Sequence, residues 1–197
     1  MALNVAVIYY GMGNLKSVCN ALKFLGVNPI IADSPSKLNA DKIIIPGVGA
    51  FEDGIRNIEP FLPEIKRILK SNIPILGICL GLQMLFQQSE ESQGTAGLGI
   101  IKGKVKKIET NLKLPHIGWN SITIEKNSTL FRNIKNGYVY FVHSYHPIPE
   151  QDITVASTQY GTKITAAIEN NNMFGVQFHP EKSGKTGLRI IKNFLEC

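Results

Sequence analysis

The stretch IPILGICLGLQMLF, residues 73–86, decides how this chain folds. It opens as an apolar run, the mark of a strand covered on both faces, and LQMLF, residues 82–86, continues as a helical run. Cys79 falls at the joint. Upstream the same alternation repeats. NVAVIYY, residues 4–10, is a strand candidate, turned by Gly11-Met-Gly13. Asn14 is then placed as an N-cap, and Leu15, Val18, Leu22 and Leu25 recur at helical spacing until Gly26. Residues 29–32 and 42–45 are further strands, and Ile58, Leu62, Ile65 and Leu69 share one helical face that leads back to residue 73. Strands alternating with helices need crossover connections, hence a largely parallel sheet.

Downstream the pattern changes. Residues 99–108, 121–125, 138–142, 153–157, 164–169 and 173–178 read as strands joined by turns, an antiparallel extension of the same sheet. Leu188, Ile191 and Leu195 line a closing helix. With no repeat, low-complexity tract or linker, the expectation is one α/β domain over residues 1–197, its mixed sheet mostly parallel.

Composition narrows the function. With 44% hydrophobic and 18% charged residues, the chain has the make-up of an ordinary soluble domain. No run approaches the roughly 20 apolar residues of a membrane span. Residues 4–10 lack the basic leader and cleavage pattern of a signal peptide, so a cytoplasmic protein is expected. A net charge of +6 raises nucleic-acid binding, but the basic residues are dispersed. Their one cluster, Lys102, Lys104, Lys106 and Lys107, alternates with Ile101, Val105 and Ile108 as the wet face of a strand would. The three cysteines, Cys19, Cys79 and Cys197, make neither a disulfide framework nor a CxxC metal site. Cys19 reads as a small core residue and Cys197 carries no specific role.

Cys79 is different, because glycines stand two residues to either side of it in GICLG, residues 77–81. A residue on a sharp strand-to-helix turn needs small neighbours, as in the G-x-S-x-G elbow of serine hydrolases. At a helix N-terminus the thiolate, the reactive form, is favoured. The motif also fits a buried structural cysteine. A second segment, GVQFHPE, residues 175–181, delivers His179 at a strand end, with Glu181 two residues on. A cysteine nucleophile needs a base, and the base needs an acceptor to orient its other ring nitrogen. A third, PGVGAF, residues 46–51, follows a strand and can turn backbone amides towards a ligand, although Gly-x-Gly after a strand is commonly only a turn. It is not the dinucleotide fingerprint G-x-G-x-x-G.

Together, and in this order, the three segments resemble the triad (class I) glutamine amidotransferases. The resemblance implies a flavodoxin-like, three-layer α/β fold and a Cys79–His179–Glu181 triad that hydrolyses the side-chain amide of L-glutamine. It implies no cofactor and no metal. Gly49 and Leu80, with Val48, match the oxyanion-hole positions. Gln83, Glu91, Ser144 and Tyr145 match positions around bound glutamine.

YYGMGNLKS (residues 9–17) and LPHIGWN (residues 114–120) are similar to a branch of that family in which the amidase is a separate chain. That implies a heterodimer with a (β/α)₈-barrel cyclase subunit, which uses channelled ammonia to make imidazole glycerol phosphate in histidine biosynthesis. Asn14, Trp119, Tyr140 and Lys182 match positions facing that partner. On pattern alone Trp119 also fits a core residue, Tyr140 a sheet residue and Lys182 a surface charge; His116 and His146 carry no role. Other readings keep the triad and change the setting: a paralogous subunit supplying ammonia for sugar amination, a stand-alone thiol γ-glutamyl hydrolase, or a scaffold without catalysis.

Overall fold

A computed structural model describes residues 3–197. The N-terminal half runs β1 (Val5–Ile8), α1 (Leu15–Phe24), β2 (Ile30–Ala32), β3 (Lys42–Ile45), α2 (Phe51–Ile58), α3 (Leu62–Lys70), β4 (Ile75–Ile78) and α4 (Leu80–Met84). Then follow β5 (Gln88–Ser89), β6 (Gly103–Lys107), β7 (His116–Ile124), β8 (Gly137–His143), β9 (Tyr145–Pro149), β10 (Thr154–Tyr160), β11 (Thr162–Asn170), β12 (Met173–Val176) and α5 (Gly184–Leu195).

Nine strands form one sheet in the order β2-β1-β3-β4-β12-β11-β10-β7-β8. Pairing is parallel from β2 through β12 and antiparallel from there to β8. The expected parallel half with an antiparallel extension is therefore present. Period-2 geometry sorts the parallel strands onto two cores. Val5, Val7 and Ile44 pack with Leu22 of α1 and Phe194 of α5 on one face. Ala6, Ile8, Ile43 and Ile45 pack with Phe51, Ile58, Ile65 and Leu82 on the other. Helices on both faces make the three layers.

The strand order fixes where a ligand can sit. Strand β1 lies between β2 and β3, so the connections leave the sheet on opposite faces and open a crevice at the carboxyl ends. The segments after β1, β3, β4 and β12 are Tyr9–Asn14, PGVG, Cys79 and His179–Glu181. The triad and the PGVG loop thus share one edge.

Two expectations need correction and a third needs qualifying. Residues 99–108 do not join the main sheet. The strand starts at Gly103 and pairs with β5 and β9 in a separate three-stranded sheet. Its wet-face reading stands, since Val105 is buried while Lys102 and Lys107 are exposed. The helical face drawn through Ile58, Leu62, Ile65 and Leu69 spans two helices, because residues 59–61 form a 3₁₀ turn between α2 and α3. Pro60 and Pro63 lack the N–H that a continuous helix would require. Asn14 does hold the N-cap position of α1, its carbonyl accepting the Val18 amide at 3.1 Å, but its side chain makes no capping bond. Its side chain is used elsewhere.

Cys19 is buried as expected. Cys197 is exposed, yet its carbonyl accepts a 2.6 Å hydrogen bond from the ammonium of Lys42, which is otherwise buried in β3.

Candidate active site

Strand β4 delivers Cys79 into a strained turn, with φ 54° and ψ −108°. Left-handed φ is costly for a side chain with a Cβ and persists only where the surroundings enforce it. Here they do. The Cys79 amide donates to Val176 of β12 at 2.8 Å, and α4 sits tightly against β3. A methyl group on Gly81 would stand 1.9 Å from the carbonyl oxygen of Ile45, so only glycine permits that approach. Helix α4 has just five residues, so no long helix dipole stands behind Cys79.

His179 follows β12 in extended conformation, and Pro180 turns the chain into a 3₁₀ segment carrying Glu181. Nδ1 of His179 lies 2.8 Å from Oε1 of Glu181, with both side chains buried. The same carboxylate oxygen accepts the side-chain amide of Asn14 at 3.2 Å. This is where Asn14 is used: it braces the histidine's partner from the first βα connection. Nε2 of His179 is buried without a settled hydrogen-bond partner, and the Cys79 sulfur is near enough to bias the ring's protonation. Burial opposes charge on His179, but the protonated ring can donate to the Cys79 sulfur and to Glu181, and these contacts and charges outweigh burial and lift its pKa to about 10. A protonated imidazole beside a sulfur can give a proton to a leaving amine.

Cys79 opens into a cavity of about 470 Å³. Val48, Gly49, Leu80, Gln83, Glu91, Ser144 and Tyr145 line it, joined by Pro115, Val142, His143 and Lys182. The residues matched to oxyanion and glutamine positions are thus brought together around one sulfur. Several are engaged with the protein itself, Gln83 among them through its bond to the Tyr145 carbonyl at 2.9 Å. The Leu80 amide donates to the carbonyl of Gly47 at 3.3 Å. Glu91 accepts the Phe51 amide at 3.0 Å; burial raises its pKa and that bond opposes the rise. The loop before Phe51 is anchored by the buried hydroxyl of Tyr10, which donates to Pro46 at 2.7 Å.

The residues matched to a partner face divide. Trp119 is 55% exposed, which removes the core reading. It meets Tyr140 edge-on at 6.2 Å, and the Lys182 ammonium lies 5.9 Å from the Tyr140 ring centre. Lys182 also lines the cavity, so this cluster adjoins the site, whereas Asn14 lies beneath it with Glu181. Sequence reasoning gave His116 no role, but its ring is buried and stacked on Phe141 and Tyr160. It contacts His143 at 3.3 Å, and His143 reaches the Tyr145 carbonyl at 2.8 Å. Alternation along β7 and β8 could have flagged this pair, since His116 and His143 are register partners.

Residues 6–197 match the glutamine amidotransferase class-I family. The chain belongs to that family. Among relatives of this amidotransferase, the imidazole glycerol phosphate synthase subunit HisH of Methanocaldococcus jannaschii is 49% identical over 193 residues, covering 98% of each chain. The protein of the same name from Caldanaerobacter subterraneus subsp. tengcongensis is 49% identical over 197 residues, covering 98% of this chain and 97% of that one. PurLQS from Thermotoga maritima superimposes with a TM-score of 0.78 at 21% identity, covering 100% and 99% of the two chains. At that identity the superposition speaks for the amidotransferase fold alone. No described helix of the amidotransferase is long and apolar enough to cross a membrane.

Proposed function

We propose that this amidotransferase is the glutaminase subunit of imidazole glycerol phosphate synthase, working in the cytoplasm as a heterodimer with a (β/α)₈-barrel cyclase. The observation that carries the reading is the buried His179–Glu181 pair behind the strained Cys79. It gains its biological setting from near-full-length relatives named as subunits of that synthase.

The Cys79 sulfur attacks the side-chain carbonyl carbon of L-glutamine, and negative charge develops on the carbonyl oxygen. Backbone amides of Leu80 and of the Val48–Gly49 segment stabilise that oxygen. His179 gives its proton to the departing nitrogen, which leaves as ammonia, and a γ-glutamyl thioester remains on Cys79. Water then adds as His179 takes back a proton. Collapse returns glutamate and the free thiol. Gln83, Glu91, Ser144 and Tyr145 hold the amino-acid end of glutamine. Released into water at neutral pH, ammonia becomes ammonium and stops being a nucleophile, so a closed path to the cyclase has a chemical purpose.

The 3.3 Å bond from Leu80 to Gly47 supports a second element of the reading. One oxyanion donor is already occupied, so the isolated chain hydrolyses glutamine slowly until the cyclase and its ligand re-aim the PGVG loop. Exposure of Ile117, Trp119 and Tyr138 (58%, 55% and 64%) favours a partnered chain over a stand-alone hydrolase. Reconstitution with the candidate cyclase tests all of this. Glutamate and imidazole glycerol phosphate should form together, and Cys79→Ala should abolish both while added ammonium salts still feed the cyclase. Equal glutaminase rates with and without the liganded cyclase would sink the activation element. Glutamine hydrolysis by Cys79→Ala would sink the assignment of the nucleophile.

A further inference from the structure

We propose that Gln177 is a catalytic residue of this site, its side-chain amide a fixed hydrogen-bond donor that stabilises the Cys79 sulfur as thiolate. The inference rests on Cys79 being the nucleophile and assigns a residue to which the triad and the cavity give no part.

Gln177 is 0% exposed, an unusual burial for a carboxamide. It stands two residues before His179, just past the end of β12, and its neighbours Val176 and Phe178 enter the core. Its Nε2 lies 3.6 Å from the Cys79 sulfur. The ends of a carboxamide are told apart by their partners, and here the partners leave one solution. The Tyr145 carbonyl can only accept, so the group of Gln83 that lies 2.9 Å from it is the NH₂. The same NH₂ meets Gln177 at 3.1 Å, so the atom it meets must be Oε1. Gln177 therefore turns its own NH₂ towards the sulfur. Reversing Gln83 would set two carbonyl oxygens face to face. Reversing Gln177 alone would set two NH₂ groups together and an oxygen against sulfur.

The arrangement suits thiolate better than thiol. As a thiol donor, Cys79 has, besides the His179 ring, the Val142 carbonyl at 4.0 Å, the outer limit for sulfur. As an anion it accepts an N–H held in place from behind by Gln83, which is itself fixed on the Tyr145 carbonyl. Gln177 does not titrate, so its donor is in place whenever the sulfur is free or leaving, whereas His179 gives and regains a proton.

The test is the pH profile of Cys79 alkylation by iodoacetamide on the full chain, read by peptide mapping so that Cys19 and Cys197 are separated. Two variants remove the donor. Gln177→Met keeps the shape without charge, and Gln177→Glu keeps an acceptor for Gln83. Both should move the alkylation midpoint upward by about one pH unit, a tenfold loss of thiolate below it. In the reconstituted complex, kcat should fall about tenfold with KM for glutamine little changed. A folded variant with an unmoved midpoint overturns the proposal. Should neither variant fold, the side-chain amide resonances of Gln177 in the unaltered protein decide: they must shift in step with Cys79 ionisation, and resonances indifferent to it overturn the proposal. Cys79→Ser separates the two readings. If it retains glutaminase activity, the nucleophile is misassigned; if it is inactive while the Gln177 profile is unmoved, Gln177 alone fails.

Discussion

Glu181 touches His179 and Asn14 through one oxygen and is otherwise sealed from water. Its charge is one of the supports that lift His179 to about 10. A ring raised in this way holds its proton below about 10 and loses it above. Glu181→Gln should therefore bring the alkaline limb of kcat/KM to lower pH and reduce kcat by roughly two orders of magnitude or more. A pH–rate series with purified complex reads both. The neighbouring loop is held just as locally. A Cβ on Gly47 would lie 2.6 Å from the Tyr10 hydroxyl and 2.8 Å from the Gly81 amide. Gly47→Ala should abolish glutaminase activity while ammonium-dependent product formation by the cyclase persists. Tyr10→Phe leaves the Pro46 carbonyl without its buried donor. It should cost about 1–2 kcal/mol in urea unfolding.

Among the elements, α4 and the end of β3 approach as closely as backbone allows. Gly81→Ala forces a methyl group onto the Ile45 carbonyl and should destabilise the fold by about 3 kcal/mol, the upper end for overpacking. Thermal or urea midpoints measure it. At this scale the sequence was readable where periodicity is strong and local. Strands β1, β3 and β4 are apolar runs, and α1 and α5 have clear apolar stripes, so the parallel half was legible. What escaped was non-local. Nothing in KGKVKK tells which sheet it joins; that depends on Tyr145–Pro149, whose two prolines hid the strand β9. The triad could be proposed because its members sit in three dense segments, but Asn14's amide crosses 167 residues to reach Glu181, and capping was the only reading available locally. Gln177 lies inside GVQFHPE, but its proposed role depends on Gln83 and Tyr145, remote in sequence.

Across the whole molecule, burial of neutral histidines makes stability depend on acid. Burial pushes His143 down to about 3 and His146 down to about 4, against about 6.5 when unfolded. Between those values the unfolded chain binds more protons than the folded one. Their contribution is intact above about pH 6.5 and is lost as pH falls towards 4 and 3. The unfolding free energy from urea titrations should drop between pH 7 and 5 by up to about 2 kcal/mol per ring, and His146→Gln should flatten the slope. The antiparallel half also carries the exposed aromatic face, so Trp119→Ala should weaken cyclase binding about tenfold or more in titration calorimetry and leave the fold intact. Finally, the bond between Leu80 and Gly47 bears on inhibitor chemistry. An electrophile that alkylates sulfur by direct displacement builds no oxyanion, so it can label the subunit alone. A nitrile or aldehyde warhead forms an adduct that needs such donors, and its potency should rise with assembly. The two warhead classes would then sort inhibitors of the lone subunit from inhibitors of the working synthase.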